Sequence, residues 1–407
     1  MKILYINHTN TISGAGISLS TLLASLPAEV EKCFCIHRKS KLADRFGATS
    51  DQTYRDPFLS LMHTTIYGGG MPPHLTFFHY LKSPLAFITL FLIQRFWKPD
   101  VVHLNETVLT SYAVVASFLK LPLVVHARTP VNPSSIGMRL LDKVAERGNC
   151  RFISIDGETH ASLPLSCQKM GEIIYNPILL STATTAEIKA KRRDWDLPDG
   201  AIAVGQLASL HKEKGIWRIL QIAKTICPSN PMLHFVLAGD TDSNLGEGPA
   251  FARAVAEAGL ADRIHLVGYE SNLAVAYGAL DIVLCLFGEY LNAVGRTAYE
   301  APLAGKPLIA TLPHPDSSTS LLQGVTGLGF ECLDFEGVTR AIVDLSQNPG
   351  KRQALGESAR AAIAERHSPQ RHARKVLNVY HRLLGNAGHD DDQRIRIGKI
   401  PGSSWPL

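Results

Sequence analysis

Short runs of Val, Ile and Leu alternate with helix-length segments along almost the whole chain, and this alternation constrains the fold more than any other feature. Buried strands separated by helices imply parallel sheets covered on both faces, because each crossover helix must lie against the sheet it connects. The runs read as strands over residues 2–7, 33–37, 101–104, 123–127 and 152–155, and again over 202–207, 234–239, 264–267, 282–286 and 307–310. Between the two sets, residues 179–200 carry Ser, Thr, a Lys/Arg cluster and Leu-Pro-Asp-Gly but no buried-strand pattern. The boundary therefore falls near Asn176-Pro177, with a first domain over 1–178, a linker over 179–200 and a second domain over 201–366. At 407 residues the chain has the length for two such domains.

Residues 368–384 read as an amphipathic closing helix (domain segment 367–385), with Ser368 as N-cap, Pro369 in the first turn and Gly385 as its stop. Residues 386–407 have no periodicity and read as a mobile tail. There His389 precedes three Asp residues in a solvated segment, and no metal site is assigned.

Composition excludes several classes. Mean hydropathy is +0.05, and the longest apolar run, residues 84–93, is about half of the roughly 20 residues that a spanning helix needs. The N-terminal Met-Lys-Ile-Leu-Tyr-Ile-Asn-His reads as a first strand, not a signal peptide. Seven cysteines without paired spacing suit a reducing, cytoplasmic setting. Net charge is +5, and residues 1–178 hold 17 basic against 12 acidic side chains, so the whole excess lies in the first half. That surplus suits a phosphate-bearing substrate or an anionic membrane surface, and suits an ordinary solvated surface equally well. No basic run with interleaved aromatics marks a nucleic-acid patch.

Two glycine segments carry the chemistry. Ser13-Gly14-Ala15-Gly16 follows the first strand and precedes a helix pattern, placing backbone amides where an anion binds, although a tight turn needs the same glycines. No acidic residue ends the second strand, which disfavours a dinucleotide site. In the second half, the strand ending Gly205-Gln206-Leu207 leads through a loop to Lys214-Gly215 at the start of a helix, where an ammonium can neutralise a diphosphate. Farther on, Asn292-Ala-Val-Gly295-Arg296-Thr297-Ala-Tyr-Glu300 reads as a loop entering a helix. The amides of Gly295, Arg296 and Thr297 would face a phosphate, and Glu300 would accept sugar hydroxyls; taken alone, Glu300 reads equally as an ordinary helix carboxylate. Tyr269, after Gly268, reads either as a stacking surface for a base or as a half-buried loop aromatic.

This order of elements resembles the GT-B glycosyltransferases, and within them the large family 4 of retaining enzymes. The resemblance runs from residue 1 to about 384 and is carried by residues 204–215 and 264–310, with Pro99-Asp-Val-Val-His103, Ile173-Ile-Tyr-Asn-Pro177, Gly239-Asp240 and Ala279-Leu-Asp281 as strand-end motifs. It implies two doubly wound, Rossmann-like α/β domains facing across a cleft, with a nucleotide-diphosphate sugar on the second and a glycan or lipid-linked acceptor on the first. It further implies that Gly14 and Gly16 face the diphosphate, that Lys214 pairs with it and that Glu300 holds the ribose, with no metal, cofactor or protein nucleophile. His103 and Gln206 fall at donor-binding positions of the motifs. Asn292 stands where the family has a second glutamate, Gln206 where it has an arginine, and Arg128 where it has a histidine; Arg128 would restore the missing charge from across the cleft. The resulting expectation is a glycosyltransferase of surface polysaccharide or glycolipid synthesis. A non-catalytic nucleotide-sugar or glycan binder and a sugar-nucleotide epimerase are the alternatives. Residues 81–97, apolar with basic and aromatic ends, suggest peripheral docking on an anionic membrane, with the basic surface contributing more than the helix, or a helix packed under the sheet.

Overall fold

The structure is a computed structural model and describes residues 1–9, 14–37, 50–57, 59–65, 73–210, 212–239, 247–286, 295–312 and 321–385. Asn292 and the expected tail, 386–407, lie outside the described residues. Thirteen strands form two sheets among the described residues. The first holds β1 (Lys2–Asn7), β2 (Glu31–His37), β3 (Gln52–Asp56), β4 (Val101–Leu104), β5 (Leu123–Ala127), β6 (Cys150–Ser154) and β7 (Gly171–Ile173). The second holds β8 (Ile202–Leu207), β9 (Leu233–Ala238), β10 (Ile264–Gly268), β11 (Ile282–Cys285), β12 (Leu308–Leu312) and β13 (Leu328–Glu331). Every pairing between them is parallel.

The orders are β3-β2-β1-β4-β5-β6-β7 and β10-β9-β8-β11-β12-β13. Each sheet reverses its winding once, between β1 and β4 and between β8 and β11, and the crevice at such a point is where open α/β sheets bind ligands. Alternate residues of the central strands feed opposite faces, as the two-residue period requires. Leu4, Ile6, Val102 and Leu104 face the helices Leu85–Phe96, Thr110–Phe118 and Ile136–Glu146, whereas Ile3, Tyr5, Val101 and Val124 face Leu19, Leu22 and Leu23 of the helix Gly14–Ser25.

The last helix, Pro369–Leu383, returns to the first domain. Its Ala373, Val376, Val379 and Tyr380 complete that second face. Ser368 caps it by accepting from the Arg371 amide at 3.2 Å, and Gly385 follows it at φ +75°, as the sequence reading expects. At the crossing, His367 Nδ1 lies 2.8 Å from the Asn176 carbonyl and the Ile178 amide donates to the His367 carbonyl at 3.0 Å, so the outgoing and returning chains are tied together.

Two readings gain detail. The segment read as a linker contains a helix, Thr185–Asp194, started by a Thr184/Glu187 capping box and fastened to the second domain. Lys191 and Trp195 donate to Glu270, and Arg192 donates to Asp281 and the Ala279 carbonyl. None of its residues is buried, so no apolar period announces it. The apolar segment around residues 81–97 forms two helices, Pro73–Lys82 and Leu85–Phe96, separated by a turn at Ser83-Pro84. Ala86, Leu90 and Ile93 pack under the sheet, as one reading has it, but Phe87, Ile88, Phe91, Leu92 and Phe96 point outward and are exposed. The stretch Phe77–Phe96 reaches a mean hydropathy of 1.2 with 17% of it buried. Its second helix is 12 residues, about 18 Å at 1.5 Å per residue, which is short of a bilayer core.

Candidate functional site

On the second domain, the site grows from the reversal point between β8 and β11. The chain leaves β8 at Leu207 and re-enters a helix, Ile216–Ile226, through Lys214 and Gly215. Gly215 sits at φ +77°, and a Cβ there would lie 1.8 Å from the Leu286 carbonyl oxygen. Only glycine permits both the left-handed turn and the close approach to the end of β11. Gln206 is buried and both ends of its amide are hydrogen-bonded to backbone. Its Nε2 donates to the Lys214 carbonyl at 2.6 Å, and its Oε1 accepts from the Leu286 amide at 3.3 Å. Gln206, 1% exposed, therefore ties the backbone at Lys214 to the end of β11. Lys214 stands beside the positive end of an 11-residue helix, and burial lowers its pKa, opposed by Cys285 and Glu213.

Gly295, at φ +65°, leads through Arg296 into the helix Thr297–Leu303. Glu300 is buried one turn in. Its Oε1 accepts from Arg296 Nε at 2.8 Å and its Oε2 from the Tyr277 hydroxyl at 3.2 Å. Arg296 also reaches the other domain, where its Nη1 donates to Ser18 Oγ at 3.5 Å and its Cδ lies 3.4 Å from where a Cβ on Gly14 would be. The two glycine segments thus meet across the cleft through one arginine. On the first domain Gly14 and Gly16 lie within the helix Gly14–Ser25.

The first-domain reversal point, between β1 and β4, gathers His8 with the buried Asn105 and Glu106. Sequence reading does not single out Glu106, although an acidic residue directly after a strand-end His-Leu-Asn is a legible signal. Its carboxylate is buried and accepts from the Thr107 amide at 2.8 Å, the Arg128 amide at 3.3 Å and the Thr129 hydroxyl at 3.3 Å. Burial raises its pKa, while these amides and the Arg128 charge lower it. His8 Nδ1 is buried without a partner among the described residues, and burial with the nearby Arg128 charge lowers its pKa to about 4.

Arg128 does not reach across the cleft. At 5% exposure its Nε donates to Asn105 at 2.7 Å, its Nη1 to Asn176 at 2.7 Å, and its Nη2 meets His126 Nδ1 at 3.3 Å. Burial lowers its pKa to about 10, with Glu106 opposing. Its guanidinium fork matches the site so completely that it acts as a clamp between β5, the loop after β4 and the hinge at Asn176. His103 is likewise internal. Its Nδ1 shares a 2.6 Å hydrogen bond with the Tyr380 hydroxyl and its Nε2 lies 3.3 Å from His126 Nδ1, so it joins the core beneath the last helix and not a donor site.

Tyr269 is 79% exposed, which removes the half-buried reading. It rims a cavity of about 240 Å³ lined by Leu207, Ala208, Ala238, Gly239 and Leu273, at the carboxyl ends of β8, β9 and β10. Gly239 is required there: its amide donates to the Gly268 carbonyl at 2.8 Å, and a Cβ would meet the Ala208 carbonyl oxygen at 2.0 Å. An exposed aromatic over an apolar floor offers a stacking surface to a flat heterocycle.

Two doubly wound domains joined at a hinge, with facing reversal points and a returning C-terminal helix, constitute the GT-B architecture. Residues 187–362, less than half of the chain, match the sequence model of the family described as Glycosyl transferases group 1, and this span includes Lys214, Tyr269, Arg296 and Glu300. The chain is 26% identical over 185 residues to the lipopolysaccharide core biosynthesis mannosyltransferase LpsB of Rhizobium meliloti, covering 44% of this chain and 52% of that protein. It is 31% identical over 134 residues to the 2-deoxystreptamine glucosyltransferase of Streptomyces kanamyceticus, covering 31% and 32%. The chain thus spans about half or less of the length of these curated relatives. Among solved structures, Anabaena HepE in complex with UDP superposes with a TM-score of 0.75 at 16% identity, over 93% of this chain and 98% of that one, and shares its fold.

Proposed function

We propose that this protein is a retaining, nucleotide-sugar-dependent glycosyltransferase of the family 4 type, which moves a hexosyl group to a glycan or lipid-linked acceptor in surface polysaccharide synthesis. The observation that carries the reading is the second-domain site: Lys214 precedes the helix that follows β8 at the reversal point, and Arg296 and Glu300 open the helix before β12, all inside the span that matches a glycosyltransferase family. The base stacks on Tyr269 over the 240 Å³ cavity. Lys214 and the adjoining helix end neutralise the diphosphate, and such preorganised charge at a leaving group is usually the largest single contribution to catalysis. The anomeric C1–O bond breaks, the acceptor oxygen bonds to C1 on the same face, and the acceptor proton passes to the departing diphosphate oxygen. Protein cations and amides take the part that a metal ion plays elsewhere, so no metal or cofactor is required. The acceptor lies on the first-domain rim, near His8. Screening the purified chain against a panel of nucleotide sugars, with release of nucleoside diphosphate as the signal, tests the reading.

The acceptor reading extends to a membrane. Phe87, Ile88, Phe91, Leu92 and Phe96 form an outward apolar face beside exposed Lys82, Arg95 and Lys98. Such a face binds an anionic bilayer by shallow apolar burial plus charge attraction. This supports a cytoplasmic enzyme held peripherally at the inner membrane face, with the apolar face contributing as well as the basic surface.

A further inference from the structure

A nucleoside diphosphate leaves with more than one negative charge, and Lys214 supplies a single positive one. The neutral Gln206 adds none, and both ends of its amide are engaged by backbone. Arg128 is 5% exposed, and its three nitrogens are taken up by Asn105, Asn176 and His126. Arg296 is differently placed. Its Nε is fixed on Glu300 at 2.8 Å, one turn along the same helix, which sets the orientation of the whole guanidinium plane. The outer edge of that plane is loosely held: Nη1 reaches Ser18 Oγ only at 3.5 Å, Nη2 makes no hydrogen bond among the described residues, and the side chain is 24% exposed. A planar fork with one nitrogen anchored and two presented is suited to phosphate oxygens.

Resting on the glycosyltransferase reading above, we infer that the Arg296 side chain is the second diphosphate cation, oriented by Glu300 and presented at the domain interface against the first turn of the helix Gly14–Ser25. A phosphate oxygen replaces Ser18 as the partner of Nη1. The same substitution draws the first-domain helix turn and the second-domain site onto one ligand, because the arginine stem already lies against Gly14. Glu300 then acts on the diphosphate through Arg296, as a positioning residue, in addition to any contact with the ribose. Its carboxylate retains acceptor capacity for both tasks after accepting from Arg296 and Tyr277.

Calorimetric titration of the full chain with UDP, GDP, ADP and their parent nucleosides tests this. For whichever diphosphate the unmodified chain binds, Arg296→Gln should weaken the diphosphate by about tenfold or more, the scale of a lost hydrogen bond between charged groups. The parent nucleoside should change by less than about twofold. Arg296→Lys, which keeps the charge but loses the fork, should fall between; it also serves if Arg296→Gln does not fold. Unchanged diphosphate affinity in Arg296→Gln would overturn the inference, and so would parallel losses for diphosphate and nucleoside, since a merely structural arginine predicts them. Failure of the unmodified chain to bind any of the three diphosphates would instead overturn the glycosyltransferase reading, and the inference with it.

Discussion

Replacing Gly215 by Ala adds one methyl group at the point where the Lys214 loop touches the end of β11. Two costs combine. An L-residue held in the left-handed region, here at φ +77°, is destabilised by roughly 1–2 kcal/mol. The new Cβ would also lie 1.8 Å from the Leu286 carbonyl oxygen and 2.7 Å from its carbon, both backbone atoms that no rotamer change can move. Relief requires the loop to withdraw, which pulls the Lys214 carbonyl from the 2.6 Å bond to the buried Gln206 amide. Leaving that group unsatisfied costs about 1–3 kcal/mol. The sum is about 2–5 kcal/mol.

Gly259, in the same domain, provides the control. It has φ +66° with nothing within 4 Å of where a methyl group would sit, so Gly259→Ala bears the conformational cost alone, roughly 1–2 kcal/mol. Urea unfolding followed by tryptophan fluorescence measures both, since Trp217 lies two residues beyond Gly215 and rests on Phe251 in the second-domain core. The transition that reports Trp217 should move to lower urea in Gly215→Ala by clearly more than in Gly259→Ala, and nucleotide affinity should fall only in the former. Equal shifts in the two variants, with affinity retained, would refute the argument that Gly215 is fixed by contact with Leu286.

Lys214→Ala should weaken donor binding by about 1.5–3 kcal/mol with the fold retained, measured by calorimetric titration. Stability should fall as pH drops below about 6.5. Burial first, then neighbouring positive charge, lowers the pKa of His103 and His126 well below the usual value, and that of His372 to about 3. These rings stay neutral in the folded chain while the unfolded chain binds protons, so the stabilisation is complete above the unfolded pKa and declines toward the folded one, by up to about 1.4 kcal/mol per pH unit for each ring. Urea midpoints between pH 7 and 4 check it, and a flat profile would contradict the neutral assignment. Co-sedimentation should show binding to anionic vesicles that salt weakens and that Phe91→Ser reduces; equal binding to neutral vesicles, or none to anionic ones at low salt, would favour a soluble acceptor.

The central strands are legible in the sequence because burial on both faces forces continuous apolar runs, as at Ile3–Ile6 in β1, where all four residues are fully buried. The strands that sequence reading misses, β3, β7 and β13, all lie at sheet edges. An edge strand needs less apolar covering, and β3, Gln-Thr-Tyr-Arg-Asp, carries almost none. The helix Thr185–Asp194 hides for a related reason: it binds through Lys191, Arg192 and Trp195, whose partners Glu270 and Asp281 are remote in sequence. At the site, Lys214, Gly215 and Glu300 are placed by local motifs. Gln206, His103 and Arg128 are not, because whether a polar side chain faces a cleft or a buried partner depends on contacts such as Tyr380 and Asn176 that only the assembled fold supplies. Arg296 is legible as part of a helix entrance, but its reach to Ser18 requires both domains in place.

The claim that this chain transfers a sugar from a nucleotide diphosphate is tested most directly by incubating it with a panel of nucleotide sugars, with and without glycan and lipid-linked acceptors, in the presence of EDTA. Released nucleoside diphosphate and the anomeric form of any product are the quantities to follow. The account predicts release from at least one donor, stimulated by an acceptor, insensitive to chelation, with the donor's anomeric configuration kept in the product. Absence of binding and release across the whole panel, or turnover that EDTA abolishes and added metal restores, would contradict it.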